Sequence, residues 1–474
     1  MSTMTTDPPP SRSSPEQELD QRPPDQVIEA RWIIPVRPTG VVHDHHAVSV
    51  RDGRIDEIIP IVESRERYPH CARTKLPQHA LIPGLVNAHT HAAMNLLRGY
   101  ADDLPLEQWL QRHIWPAESQ HVDARFVHDG TSLAIAEMLR GGTTCFNDMY
   151  FFPDYAADAA SEAAIRACVG LIVIDSPTAW ASDADEYLAK AASVHDRCRD
   201  EPLISTAFAP HAPYTVSDGP LQRVATLAEE LDVPVHIHVH ETADEVQRSI
   251  AEHGMRPLQR LHKLGLVSPR LAAVHLTCVD DGDIALLAEY GAHALHCPES
   301  NLKLASGMCP IERIRQAGIN IAIGTDGAAS NNDLDMIGEM RTAALLAKGV
   351  SGDAGALPAD VALHAATLGG ARALGLEDEF GSIEHGKSAD LCAVDLSHLR
   401  TQPVYNPTSQ VVYAASAQQV SHVWVAGKPL LAHGELLTLD EDALRARVRE
   451  WGARIGLPAR TRQSVDTPND ATPS

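Results

Sequence analysis

From Leu81 to Asp326 the chain alternates short apolar segments rich in β-branched residues with longer segments carrying apolar residues at i, i+3 and i+4. The short segments number eight: LIPGLVNAH, GTTCFNDM, ACVGLIVID, LISTAFAP, VPVHIHVH, LAAVHLTCV, AHALHCPE and INIAIGTD. Between them, stretches such as DGTSLAIAEMLRGG and DGPLQRVATLAEELD read as amphipathic crossover helices. Parallel strands require such crossovers, and eight in series predict an α/β fold, a (β/α)8 TIM-type barrel spanning 80–379. The flanks 27–79 and 380–435 instead hold short alternating pieces, among them AVSVRDGRIDEIIP and VSHVWVAGKPLLAHGE, broken by glycine turns. These are expected to join into one small β-sandwich domain formed from both chain ends. A disordered proline-rich leader over 1–26 and a C-terminal helix with a loose tail over 436–474 complete the expected organisation.

Charge narrows the partners. The 474 residues hold 39 Lys+Arg against 63 Asp+Glu, a net charge of −24, and such a surface repels phosphate backbones and anionic membranes. A small molecule in a shielded cleft is the expected partner, with neither a nucleic-acid polymer nor a membrane. The eight cysteines form no C-x-x-C pair, and no segment has the length of a membrane span or the apolar core of a secretory signal, so a cytoplasmic location is expected. A P-loop, a dinucleotide G-x-G-x-x-G, a G-x-S-x-G elbow and the H-x-E…P-C-x-x-C set are all missing.

In a barrel of this kind reactive groups project from the C-terminal strand ends. His89 and His91 close the first predicted strand, His238 and Glu241 lie at the end of the fifth, His275 ends the sixth and Asp326 follows the eighth. Residues two apart in a strand share a face, so both imidazoles of His89-Thr90-His91 can point into the mouth. Imidazoles and a carboxylate suit Zn²⁺, with Fe²⁺ as the alternative, and an open coordination position would make the site catalytic. Three histidines of strand five, His236, His238 and His240, share one face, and spacing does not choose among them. Glu241 has the opposite parity, so the strand must bend or stop near Val239 for a histidine and this carboxylate to share the site. The similarly spaced His43 and His45 are expected in a polar turn of the flanking domain, without a role.

PGLVNAHTH, HxxE, the strand-six histidine and GTDGAASNN resemble the amidohydrolase superfamily. More narrowly, NAHTHAAMNLLRGYADDLPLEQWL, IWPAE, FAPHAPYTVS and CPESNLKLASG are similar to the 5′-methylthioadenosine/S-adenosylhomocysteine deaminases and their triazine hydrolase and guanine deaminase relatives. The resemblance implies a single divalent metal on His89, His91, His238 and Asp326, since LISTAFAPHAP lacks the bridging lysine of two-metal relatives. It implies that Glu118 holds ribose hydroxyls and His211 contacts the purine edge, and that the enzyme is a homo-oligomer that hydrolytically deaminates an adenine nucleoside to the inosine analogue. In that chemistry Asp326 takes a proton from water, His275 steadies the nucleophile and Glu241, kept protonated by burial, donates to N1. No arginine occurs between Ala167 and Asp196, which favours methylthioadenosine or adenosine over S-adenosylhomocysteine. The alternatives are another heterocycle (guanine, an oxidised purine or a triazine) and an inactive scaffold, the latter opposed by the complete set of ligands.

Overall fold

The structure, a computed structural model, describes residues 22–456. The leader and tail expected at the chain ends fall mostly on 1–21 and 457–474, outside the described residues. Both ends contribute to one eight-stranded sheet made of β1 (Gln26–Ile33), β2 (His43–Arg51), β3 (Arg54–Pro60), β4 (Ala72–Pro83), and, from the far end, β13 (Leu391–Asp395), β14 (Val420–Val425), β15 (Lys428–Ala432) and β16 (Glu435–Leu436). Its order is β16-β15-β14-β13-β4-β1-β2-β3, with β13 and β4 antiparallel at the junction of the two ends. The sheet curls over a core of Ile28, Val48, Leu76, Leu391 and Trp424, and the β2–β3 turn meets the β14–β15 turn: the Gly53 carbonyl accepts from Ala389 N–H at 2.9 Å, and Ala389 O accepts from Gly427 N–H at 3.1 Å. His43 and His45 are not in a turn. They open β2, where Asp44 pairs with Arg31 at 3.3 Å on the exposed face.

Between these flanks lie the eight parallel barrel strands: β5 (Leu85–Thr90), β6 (Thr143–Tyr150), β7 (Arg166–Val173), β8 (Ile204–Pro210), β9 (Val235–Val239), β10 (Leu271–His275), β11 (His293–His296) and β12 (Asn320–Ile323). Each matches one of the eight short apolar segments, and nearly every residue is buried because helices cover the outer face. Period-two alternation divides the strands. In β9, Val235, Ile237 and Val239 join the outer core, and in β10 Ala272 and Val274 face inward to pack with Ala88, Leu295 and Ala322. Small inward side chains fill the barrel below its mouth, and Ala371, Leu374 and Phe380 plug the end near Val86 and Cys145.

No ladder among the described residues joins β12 to β5, so the first and last strands meet at a seam. At the lower end the helix Leu368–Ala373 fits into it through two glycines, where a Cβ on Gly369 would lie 2.2 Å from Ile321 O and one on Gly370 would lie 2.8 Å from Val86 Cβ. At the upper end Asn87 bridges the gap, donating from Nδ2 to Thr325 Oγ1 at 2.7 Å and accepting from Thr325 N–H at 3.0 Å. No helix is long and apolar enough to cross a membrane, among the described residues.

The barrel and the curled sheet are tied by a buried ion pair. Arg166, opening β7, donates from Nε to Asp390 Oδ2 at 2.9 Å and from Nη2 to Ser388 Oγ at 3.1 Å. Removing one partner of a buried pair strands the other charge. Arg166→Met is therefore expected to lower unfolding stability by about 3–5 kcal/mol, read from the urea midpoint. A loss below about 1 kcal/mol, the scale of an exposed pair, would show that Ser388 and Ala426 suffice to hold Asp390.

Candidate active site

Four side chains from three strand ends converge at the barrel mouth. His89 Nε2 lies 3.3 Å from Asp326 Oδ1, His91 Nε2 lies 3.2 Å from the same oxygen, and His238 Nε2 lies 3.2 Å from His89 Nε2. His275 joins them, and the ligand atoms of His89, His238 and His275 all fall within 4.8 Å of one another. Each of the three clustered imidazoles has its Nδ1 engaged from behind. His91 Nδ1 donates to Met149 O at 2.6 Å, His238 Nδ1 donates to His211 O at 2.7 Å, and His89 Nδ1 lies 2.7 Å from His236 Nε2, which accepts its proton. Their Nε2 lone pairs therefore face one another and a carboxylate oxygen in a buried space. Such a set repels itself unless a cation sits among the donors, so the residues fit a divalent metal.

Left-handed backbone aims the remaining groups. β9 ends at Val239, and His240 at φ +56° turns the chain, resolving the parity conflict so that Glu241 lines the cavity with His238. His240 itself points away, its Nδ1 3.2 Å from Cys278 O and its Nε2 accepting from Leu258 N–H at 3.1 Å. His275 has the parity of Leu271 and Ala273, which pack outward, but φ +76° brings it to the cavity. Asp326 sits at φ +63°; its Oδ1 accepts from Gly327 N–H at 2.8 Å and its Oδ2 from Ser300 Oγ at 2.6 Å. Asn301 Oδ1 accepts the His275 Nδ1 proton at 2.9 Å, leaving Nε2 3.9 Å from Glu241 Oε2.

A cavity of about 90 Å³ runs from this cluster past His211 and Tyr214 to Glu118, with Met94, Trp109 and Ile172 among its apolar walls. It adjoins an outer cavity of about 990 Å³ that also touches Glu241. Burial raises the Glu118 carboxyl to about 7, against the pull of the Tyr150 hydroxyl that donates to it at 2.8 Å. Burial likewise raises Glu241, whereas Asp326 stays well below the ordinary carboxylate range because the His89 and His91 imidazoles at its Oδ1 outweigh its burial. His91, Glu118, His211, His238, Glu241, His275 and Asp326 thus line one cavity with His89 in the cluster beside them, while His240 points away. His236, Ser300, Asn301 and Tyr150 were missed as supports. His236 had a visible signal, its place two residues from His238 on the same strand face, while the other three carried none that spacing could show.

Residues 80–430 match the amidohydrolase family. The chain belongs to that family. It is similar to a 5-methylthioadenosine/S-adenosylhomocysteine deaminase of Saccharophagus degradans, with 52% identity over 436 residues, 92% of this chain and 98% of that one. Among solved structures it is similar to an adenosine deaminase from Xanthomonas campestris with bound zinc, at TM-score 0.90 and 57% identity over 91% of this chain and 99% of that one. An atrazine chlorohydrolase from Arthrobacter aurescens shares the fold at TM-score 0.84, with 21% identity over 90% of this chain and 99% of its own.

Because His236 alone fixes the tautomer of His89, its removal should be felt at the metal. His236→Ala is expected to weaken divalent-metal binding by about 10–100-fold, measured by competition with a chromophoric chelator. Unchanged affinity would mean that the strand alone orients His89.

Proposed function

We propose that this chain is a zinc-dependent deaminase of adenine nucleosides that releases ammonia from C6 and leaves the inosine analogue. The observation that carries the reading is the placing of two carboxyls, each with its pKa raised by burial, in one cavity, Glu241 beside the imidazole cluster and Glu118 at the other end. That spacing suits a molecule with a basic ring nitrogen at one end and hydroxyls at the other. The names of the Saccharophagus and Xanthomonas relatives support the same chemistry.

In this reading His89, His91, His238 and Asp326 hold the zinc. Zinc bound there supplies a Lewis acid that brings the pKa of a water to about 7. Glu241, its pKa raised by burial, donates a proton to N1 of the adenine and so draws electrons away from C6. Asp326, kept anionic by its imidazole neighbours, accepts a proton at a carboxylate oxygen. His275, its Nδ1 proton committed to Asn301, presents Nε2 as an acceptor that orients the attacking water. His211 borders the purine, and Glu118 accepts from the ribose hydroxyls while Tyr150 holds it in place. The apolar walls exclude water from the reacting face.

No lysine or arginine lines this inner cavity, among the described residues. In the outer cavity Arg248 lies 3.6 Å from Glu107 and Arg260 is bound to Asp218 at 2.7 Å. A 5′ substituent without a carboxylate therefore fits better, which favours methylthioadenosine and adenosine over S-adenosylhomocysteine. All eight cysteines are free, which suits the reducing cytoplasm. Leu399 and Tyr405, 94% and 91% exposed, are apolar surface that a homo-oligomer would cover.

Zinc-loaded protein is expected to release ammonia from methylthioadenosine and adenosine and to leave guanine and triazines intact; release confined to free bases would overturn the nucleoside reading. Glu241→Gln should keep its metal and lose about 10²–10⁴-fold in kcat, and near-normal turnover would remove Glu241 from its role. Glu118→Gln should raise the nucleoside KM by about 10–100-fold, the worth of a hydrogen bond to a charged group. An unchanged KM would place the ribose elsewhere.

A further inference from the structure

We infer that Glu245 is a positioning residue for proton transfer, a carboxyl clamp on the backbone turn that aims Glu241. The inference rests on the deaminase reading, in which Glu241 carries the proton for N1. His240 and Glu241 have left the β9 ladder, and both are buried. Their N–H groups find partners in a single side chain, since Glu245 Oε1 accepts from His240 at 3.0 Å and Oε2 accepts from Glu241 at 2.7 Å. Across the same turn Thr277 Oγ1 donates to Glu241 O at 2.7 Å, with His240 O at 3.3 Å. Both the N–H and the C=O sides of the turn are thereby held.

Glu245 occupies the third position of the helix Ala243–His253, and its own N–H donates to the N-cap Thr242 Oγ1 at 3.2 Å. An acid at this position ordinarily reaches back to the N-cap N–H. Here the carboxylate extends past the cap to the two residues before it, which are the turn residue at φ +56° and the acid that faces the cavity. Glu245 is 5% exposed and forms no ion pair among the described residues, so a cation partner does not account for this buried acid. Burial raises its carboxyl to about 8 against the pull of the two N–H groups, and both of its oxygens are taken up by the turn. Without these two bonds the left-handed turn at His240 relaxes, and Glu241 moves off N1 while His238, still paired with Val274 in the ladder, and the metal-cluster residues on the first and last strands stay in place.

The test compares zinc-loaded wild type, Glu245→Gln, Glu245→Ala and Arg166→Met, the last a control that destabilises the fold far from the mouth. Glu245→Gln and Glu245→Ala are expected to lose about 100-fold in kcat, the effect of roughly 1 Å of misplacement. The nucleoside KM and metal content should stay near wild type, with Glu245→Asp restoring no activity because it is one methylene too short to reach both N–H groups. Arg166→Met should keep its kcat. Glu245→Gln with wild-type kcat would overturn the inference. So would a KM that rises in place of the kcat loss, which would mean that Glu245 contacts substrate, or a parallel loss of metal, which would mean general collapse. Should the wild type release no ammonia from any nucleoside, the deaminase reading falls separately. A crystal structure of Glu245→Gln then decides the clamp, upheld by a displaced Glu241 and overturned by an unmoved one.

Discussion

The site depends on a seam. β5 and β12 approach without a ladder, and the strand ends on its two sides supply His89, His91 and Asp326. The separation is held open and held short at once. Asn87 spans it with two side-chain hydrogen bonds to Thr325, and Asp326 N–H donates to His89 O at 3.0 Å just above. Gly324 allows the approach, because a Cβ there would lie 2.6 Å from His89 N. A side chain at Gly324 would push β12 from β5 and carry the Asp326 carboxylate away from both imidazoles. The closing of the barrel and the assembly of the cluster are therefore one structural event.

Strand pairing alone would not bring Glu241 and His275 to the same cavity. A strand alternates its faces, and Glu241 and His275 have the wrong parity for the barrel mouth. Left-handed backbone at His240, His275 and Asp326, at φ +56°, +76° and +63°, corrects each one. Non-glycine residues rarely hold such angles, and each carries a conformational cost of about 1–3 kcal/mol when the surroundings enforce it. Hydrogen bonds do the enforcing here, from the His275 ring to Asn301 and from Ser300 and Gly327 to the Asp326 carboxylate.

What the sequence made legible follows the same division. Periodicity carried the eight strands, because parallel strands buried on both faces leave unbroken apolar runs. It also carried His89 and His91, whose spacing of two is the strand repeat itself. The curled sheet was legible as strands from both ends, but its closure was not, since the contact between the β2–β3 and β14–β15 turns joins residues near 53 and 427 with no shared pattern. At strand five the alternation left three histidines open and put Glu241 on the wrong side. Depth along the strand puts His236 behind the cluster and His238 into it, and the backbone angle at His240, which no composition or period reports, turns His240 away from it. Ser300 and Asn301 stayed silent because small polar residues after a strand read as an ordinary helix start.

The fold separates two chemically similar carboxyls by their surroundings. Glu241 is buried with the His275 imidazole 3.9 Å away, and burial prevails to raise its pKa. Asp326 is equally buried but touches two imidazoles and two further donors, so its anion is favoured. A cation among the donors would act on Asp326 in the same direction. Which carboxyl is raised and which lowered thus follows from which stands on the seam, where imidazoles from the first strand must meet it, and which stands beyond a turn on the fifth.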